Sequence, residues 1–101
     1  MTLTKVCNLS MVSTEGMKQF YVGEMEILVV NFGGQIFCLD GRCTHAGAPL
    51  AEGTLNREVL TCPWHGSQFS VTNGLVLRGP AEKQLRVYSS TVKDGFVFID
   101  T

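Results

Sequence analysis

The chain has 101 residues, eight Lys and Arg against nine Asp and Glu, and a net charge of −1. That length supports one domain, burying roughly two-thirds of its unfolded surface. The even charge excludes a basic nucleic-acid stripe, and the longest apolar run, Ile27-Leu28-Val29-Val30, is far too short to span a bilayer. Met1-Thr2-Leu3-Thr4-Lys5 lacks a charged-then-apolar leader, so no membrane association and a cytoplasmic location are expected.

In chain order, Asn8 to Ser13 has room for one short helical turn. Lys18 to Val22, Met25 to Val30 and Gln35 to Leu39 are rich in β-branched and aromatic residues and are predicted as strands. Gly23-Glu24 and Gly33-Gly34 separate them at hairpin distance. Glu58 to Thr61, Ser67 to Val71 and Leu75 to Leu77 form a second group, with Asn73-Gly74 as its tight turn. Leu85 to Thr91 and Phe96 to Asp100 form a third, joined across Lys93-Asp94-Gly95. No stretch holds a helical period for three turns. The fold class is therefore all-β, a small antiparallel sandwich or barrel with functional loops inserted between strands.

The chemistry concentrates in two short segments, Cys43-Thr44-His45 and Cys62-Pro63-Trp64-His65. The chain has only two histidines, and each follows a cysteine by two or three residues. Thiolate and neutral imidazole bind zinc, copper or iron at neutral pH. Two such pairs, one per loop, suit either a tetrahedral zinc ion or a two-iron cluster with both sulfurs on one iron and both nitrogens on the other.

Cys-x-His, sixteen residues, then Cys-x-x-His resembles the Rieske family of [2Fe–2S] proteins. Cys43 to Leu50 is similar to that family's first cluster loop and Cys62 to Phe69 to its second. Gly79-Pro80, followed by Leu85 and Tyr88, is similar to the proline-bearing third loop. The likeness runs from about Val6 to Ile99. It implies one Rieske-type domain over residues 1–101, with a cluster-binding subdomain at approximately 40–80. It also implies one [2Fe–2S] cluster held by Cys43, His45, Cys62 and His65.

Two thiolates bring a diferric core with two sulfides to zero charge, where four would leave it at 2−. Histidine ligation thus raises the potential to roughly −150 to +300 mV, against about −400 mV for plant-type ferredoxins. The family's high-potential branch has a disulfide between the two cluster loops. Its cysteine positions correspond here to Ala48 and Trp64. Phe69 stands where that branch has a hydrogen-bonding tyrosine, while Ser67 keeps a hydroxyl for a cluster sulfide. A potential in the lower half of the range is expected. The implied role is a soluble ferredoxin moving single electrons from a reductase to a terminal oxygenase. An electron-transfer subunit of another redox complex, such as a nitrite reductase small subunit, and a zinc-stapled interaction module are the alternatives.

Around the ligands, Gly41, Gly47 and Gly66 are expected where backbone passes close to the core or needs positive φ. Pro49, Pro63 and Pro80, the only prolines, all fall in the three loops and are expected to stiffen them. Trp64 is expected as a hydrophobic shield over the ligands. Cys7 and Cys38 read as inert buried thiols, and Glu24, Glu26, Glu52 and Glu58 as solvated surface. With both histidines engaged by metal, no base remains to activate a nucleophile.

Overall fold

The structure, a computed structural model, describes residues 3–100. The strands are β1 (Leu3–Asn8), β2 (Gly16–Val22), β3 (Met25–Phe32), β4 (Gln35–Asp40), β5 (Thr54–Asn56), β6 (Val59–Thr61), β7 (Gln68–Ser70), β8 (Val76–Arg78), β9 (Val87–Tyr88), β10 (Ser90–Lys93) and β11 (Phe96–Asp100). They build three sheets, ordered β1-β11-β10, β2-β3-β4-β9 and β5-β6-β7-β8, with every pairing antiparallel. The all-β expectation holds.

The β2-β3-β4 meander forms because its turns can take left-handed backbone. Gly33 and Gly34 sit at φ +63° and +78°, as a two-residue hairpin of the right twist requires. β3 is the central wall. Ile27, Leu28, Val29 and Val30 are all fully buried, although side chains alternate across a strand. Ile27 and Val29 pack with Cys7, Val12, Cys38, Val97 and Ile99 toward the first sheet. Leu28 and Val30 pack with Leu39, Leu50, Leu60, Phe69 and Leu85 toward the third. The unbroken apolar run is thus a strand covered on both faces.

Three elements differ from expectation. Leu85 to Thr91 is two strands: β9 pairs with β4, and β10 with β11. The chain changes sheets at Ser89, whose carbonyl accepts the Asp100 N–H at 2.9 Å. β1 was not anticipated, and its pairing with β11 shifts register between Lys5 and Cys7, which spoils any simple alternation. β5 spans three residues, too few to show a period. The short turn expected near Asn8 is present at Leu9–Met11, where the Asn8 side chain accepts the Ser10 N–H at 3.0 Å.

The third sheet, Thr54 to Arg78, is inserted between β4 and β9. Its entry requires glycine. A Cβ on Gly53 would lie 2.0 Å from the Thr61 carbonyl oxygen and 3.2 Å from Pro63 Cδ. Cys7 and Cys38 are buried free thiols, and burial pushes the Cys38 thiol up to about 12. No helix among the described residues is long and apolar enough to cross a membrane.

Candidate metal centre

Two loops bring the sequence-predicted residues together. The first, residues 43–48, follows β4; the second, residues 62–67, joins β6 to β7. Both close the same way. The Cys43 N–H donates to the Ala48 carbonyl at 2.9 Å, and the Cys62 N–H to the Ser67 carbonyl at 2.8 Å. In each, a glycine four residues after the cysteine takes left-handed backbone: Gly47 at φ +73° and Gly66 at +75°. Gly41 departs from the expectation of positive φ. A Cβ there would instead come 3.2 Å from the Glu26 carbonyl oxygen, so close approach is what favours glycine.

The donors divide by burial. Cys43 and Cys62 are each 3% exposed and belong to the core that contains Leu60 and Phe69. Burial pushes the Cys43 thiol up, and the Cys62 thiol within hydrogen-bonding reach adds to this. The backbone N–H groups of His45 and Ala46 act the other way, donating toward the Cys43 sulfur. His45 and His65 are exposed, with ring centroids 5.0 Å apart and planes at 79°.

Among the described residues, no three of the His, Cys, Asp and Glu side chains gather around a single point. A sulfur pair at the apolar end and a nitrogen pair at the wet end fit a two-iron cluster, one iron to each pair.

The third loop straps both ligand loops. Thr44 Oγ1 donates to the Lys83 carbonyl at 2.6 Å, and the Ala81 N–H donates to Ser67 Oγ at 3.0 Å. Ser67 is fully buried; as an acceptor from Ala81, its own O–H is left to donate. Pro80 follows a cis peptide bond and lines, with Thr44, His45, Glu82 and Lys83, a cleft of about 420 Å³ beside His45. Trp64 departs from the expected shield, for its side chain is 56% exposed.

Arg42, which sequence reasoning passed over, and Glu26, read there as solvated surface, reinforce the first loop. Arg42 Nε and Nη2 both bond the Glu26 carboxylate, the latter at 2.9 Å, and Nη1 donates to the Gly47 carbonyl at 2.9 Å. The guanidinium holds the Glu26 carboxyl below its usual range. Glu26 is therefore not simply solvated surface. The only sequence signal was an arginine immediately before Cys43.

A split sulfur–nitrogen donor set on an all-β frame defines an iron–sulfur electron-transfer protein. The comparisons with known proteins make this specific. Residues 2–89 match the family model described as the Rieske [2Fe–2S] domain. The chain is 34% identical over 100 residues to the ferredoxin component of biphenyl 2,3-dioxygenase from Rhodococcus jostii (strain RHA1), covering 99% of this chain and 94% of that protein. The solved ferredoxin of Sphingomonas yanoikuyae B1 superposes with a TM-score of 0.93 at 29% identity, covering 99% of each chain. A chain in a complex of reduced oxygenase and oxidized ferredoxin in carbazole 1,9a-dioxygenase gives 0.87 at 34% identity, covering 96% of this chain and 91% of that one. The chain belongs to the Rieske [2Fe–2S] family. It carries one [2Fe–2S] cluster and serves redox partners as a one-electron carrier.

Proposed function

We propose that Cys43 and Cys62 hold the inner iron, His45 and His65 hold the outer iron, and the chain relays electrons from a reductase to a terminal oxygenase. The single observation carrying this is the pairing of buried thiols with exposed imidazoles across two matched loops. When bound, the cluster supplies one single-electron couple. The buried cysteines keep water from its sulfur end, and the exposed ring edges give the shortest route to a docked partner. Ser67, whose remaining proton is free to donate, would hold a hydrogen bond to a sulfide, and Gly47 would let the first loop turn tightly past the bound core. Pro80 shapes the cover beside His45. Trp64, more than half exposed, presents an aromatic anchor for docking, a residue type enriched where partners meet.

Residues 1–101 act as one Rieske-type domain, with approximately 40–80 forming the cluster-binding part, and the protein works in the cytoplasm. The related ferredoxin components of dioxygenase systems support an oxygenase as acceptor. The absence of a cysteine at positions 48 and 64, and of a hydroxyl at Phe69, supports a potential below about +200 mV.

The test is direct. Holoprotein should contain two irons and two acid-labile sulfides, and Mössbauer spectra should show two unlike iron sites. Colourless protein with one zinc and no labile sulfide would overturn the ligand assignment. Electron transfer that fails with every aromatic-ring oxygenase tried, yet proceeds to a nitrite reductase, would overturn the partner assignment.

A further inference from the structure

Arg42 and Glu26 form a cross-brace between the body of the protein and the first ligand loop. Glu26 lies on β3, held in register opposite Tyr21 of β2. Its backbone carbonyl accepts the Gly41 N–H at 2.9 Å, and its carboxylate takes both arms of the Arg42 fork. The third arm reaches the Gly47 carbonyl at 2.9 Å. The Gly47 N–H in turn donates to the Cys43 carbonyl at 2.9 Å. One side chain thus spans the loop from the residue before the cysteine to the left-handed glycine that closes it.

Isolated surface ion pairs contribute little. This one differs in geometry: the carboxylate is held by two donors, and the guanidinium has a third partner on the loop it stabilises. The loop fixed in this way is the tight turn, closed by the Gly47 N–H on the Cys43 carbonyl, that carries Cys43 together with the backbone N–H groups of His45 and Ala46. Hydrogen bonds to cluster sulfur favour the reduced state.

We propose that Arg42 is a positioning residue that sets the reduction potential through the first loop, with Glu26 as its anchor. The brace acts mechanically, not through its charge. It rests on the ligand assignment above and adds a control that the ligands do not contain.

Two variants separate mechanics from electrostatics: the two mechanisms predict opposite signs for Glu26→Ala, and only the mechanical one predicts a shift for Arg42→Lys. Glu26→Ala removes a negative charge, which by Coulomb's law alone raises the potential. Loss of the brace lowers it. Arg42→Lys keeps the charge but loses the planar fork, and should also lower the potential.

In cluster-loaded protein, both variants should speed deuterium exchange in a peptide spanning residues 43–48 by about fivefold to tenfold, the scale of one ordinary hydrogen bond lost at a solvent-screened site. Exchange in β10 and β11 should not change. A raised potential in Glu26→Ala, or a wild-type potential and exchange rate in Arg42→Lys, would overturn the brace while leaving the ligand assignment intact. Wild-type protein without labile sulfide would sink the ligand assignment, and the proposed redox role of Arg42 with it.

Discussion

The two loops proposed to hold the cluster share a closing hydrogen bond and a left-handed glycine, yet they are secured by different means. Loop 43–48 is tied down by side chains: Arg42 to Glu26 and to the Gly47 carbonyl, and Thr44 to the Lys83 carbonyl. Loop 62–67 is wedged by backbone, with Gly53 against the Thr61 carbonyl and Pro63, and by the buried Ser67. Side-chain ties can be loosened by degrees, whereas a backbone contact admits no compromise. The first loop is the adjustable half of the centre, and the second is the fixed half.

The sharpest way to break that contrast is to add one methyl group to each half. Gly53→Ala drives a Cβ to 2.0 Å from the Thr61 oxygen, so the second loop must move. Overpacking of this kind costs about 2–3 kcal/mol, and the thermal midpoint should fall by roughly 10–20 °C, with poor cluster loading. Gly47→Ala meets open space and bears only left-handed strain, about 1 kcal/mol and roughly 4–8 °C. Equal losses in calorimetry would erase the distinction.

Ligand exchange tests the symmetry of the two loops. His45→Cys and His65→Cys each replace a neutral ligand by an anion, and should lower the midpoint potential by at least about 100 mV, within the gap between histidine- and cysteine-ligated clusters. Voltammetry giving the wild-type value for either would contradict its assignment.

Ser67→Ala is a gentler probe of the fixed half. Losing one hydrogen bond to the reduced centre should lower the potential by about 60 mV, the one-electron equivalent of about 1.4 kcal/mol. An unchanged potential would show that the hydroxyl serves only Ala81.

The smallest expected effect lies away from both loops. The Cys38 thiol is raised from 9.0 to about 12, chiefly by burial, and Tyr88 from 10.0 to about 12 by burial and its 2.6 Å bond to Asp40. Both folded values exceed the ordinary ones. Their contribution to stability is therefore complete below pH 9.0 and fades as pH rises toward 12. Cys38→Ala should flatten the decline of the thermal midpoint between those limits; an unaltered slope would remove Cys38 from the account.

The Cys-x-His and Cys-x-x-His pairs proposed as ligands stand out in the sequence because each histidine follows a cysteine by two or three residues, and the strands were legible because nearly every one lies between recognisable turn residues. The brace was not. Glu26 and Arg42 are sixteen residues apart, and no local pattern says that a glutamate on β3 will meet an arginine after β4. Register decides that, and register depends on the assembled sheet. The split of Leu85–Thr91 was hidden for a similar reason: Ser89 moves the chain between sheets, while its sequence keeps a continuous β character. The exposure of Trp64 was not legible, because an aromatic residue between Cys62 and His65 fits cover and contact equally well in sequence.

The alternating allegiance of Ile27, Leu28, Val29 and Val30 makes the middle sheet a party wall between two tenants. Trimming Val29 or Cys38 would soften the distant compartment and lower the melting point while leaving the redox chemistry alone. Trimming Leu28 or Val30 would disturb the floor on which the sulfur end rests. Neighbouring positions on one strand thus offer separate handles, one for durability and one for electron affinity.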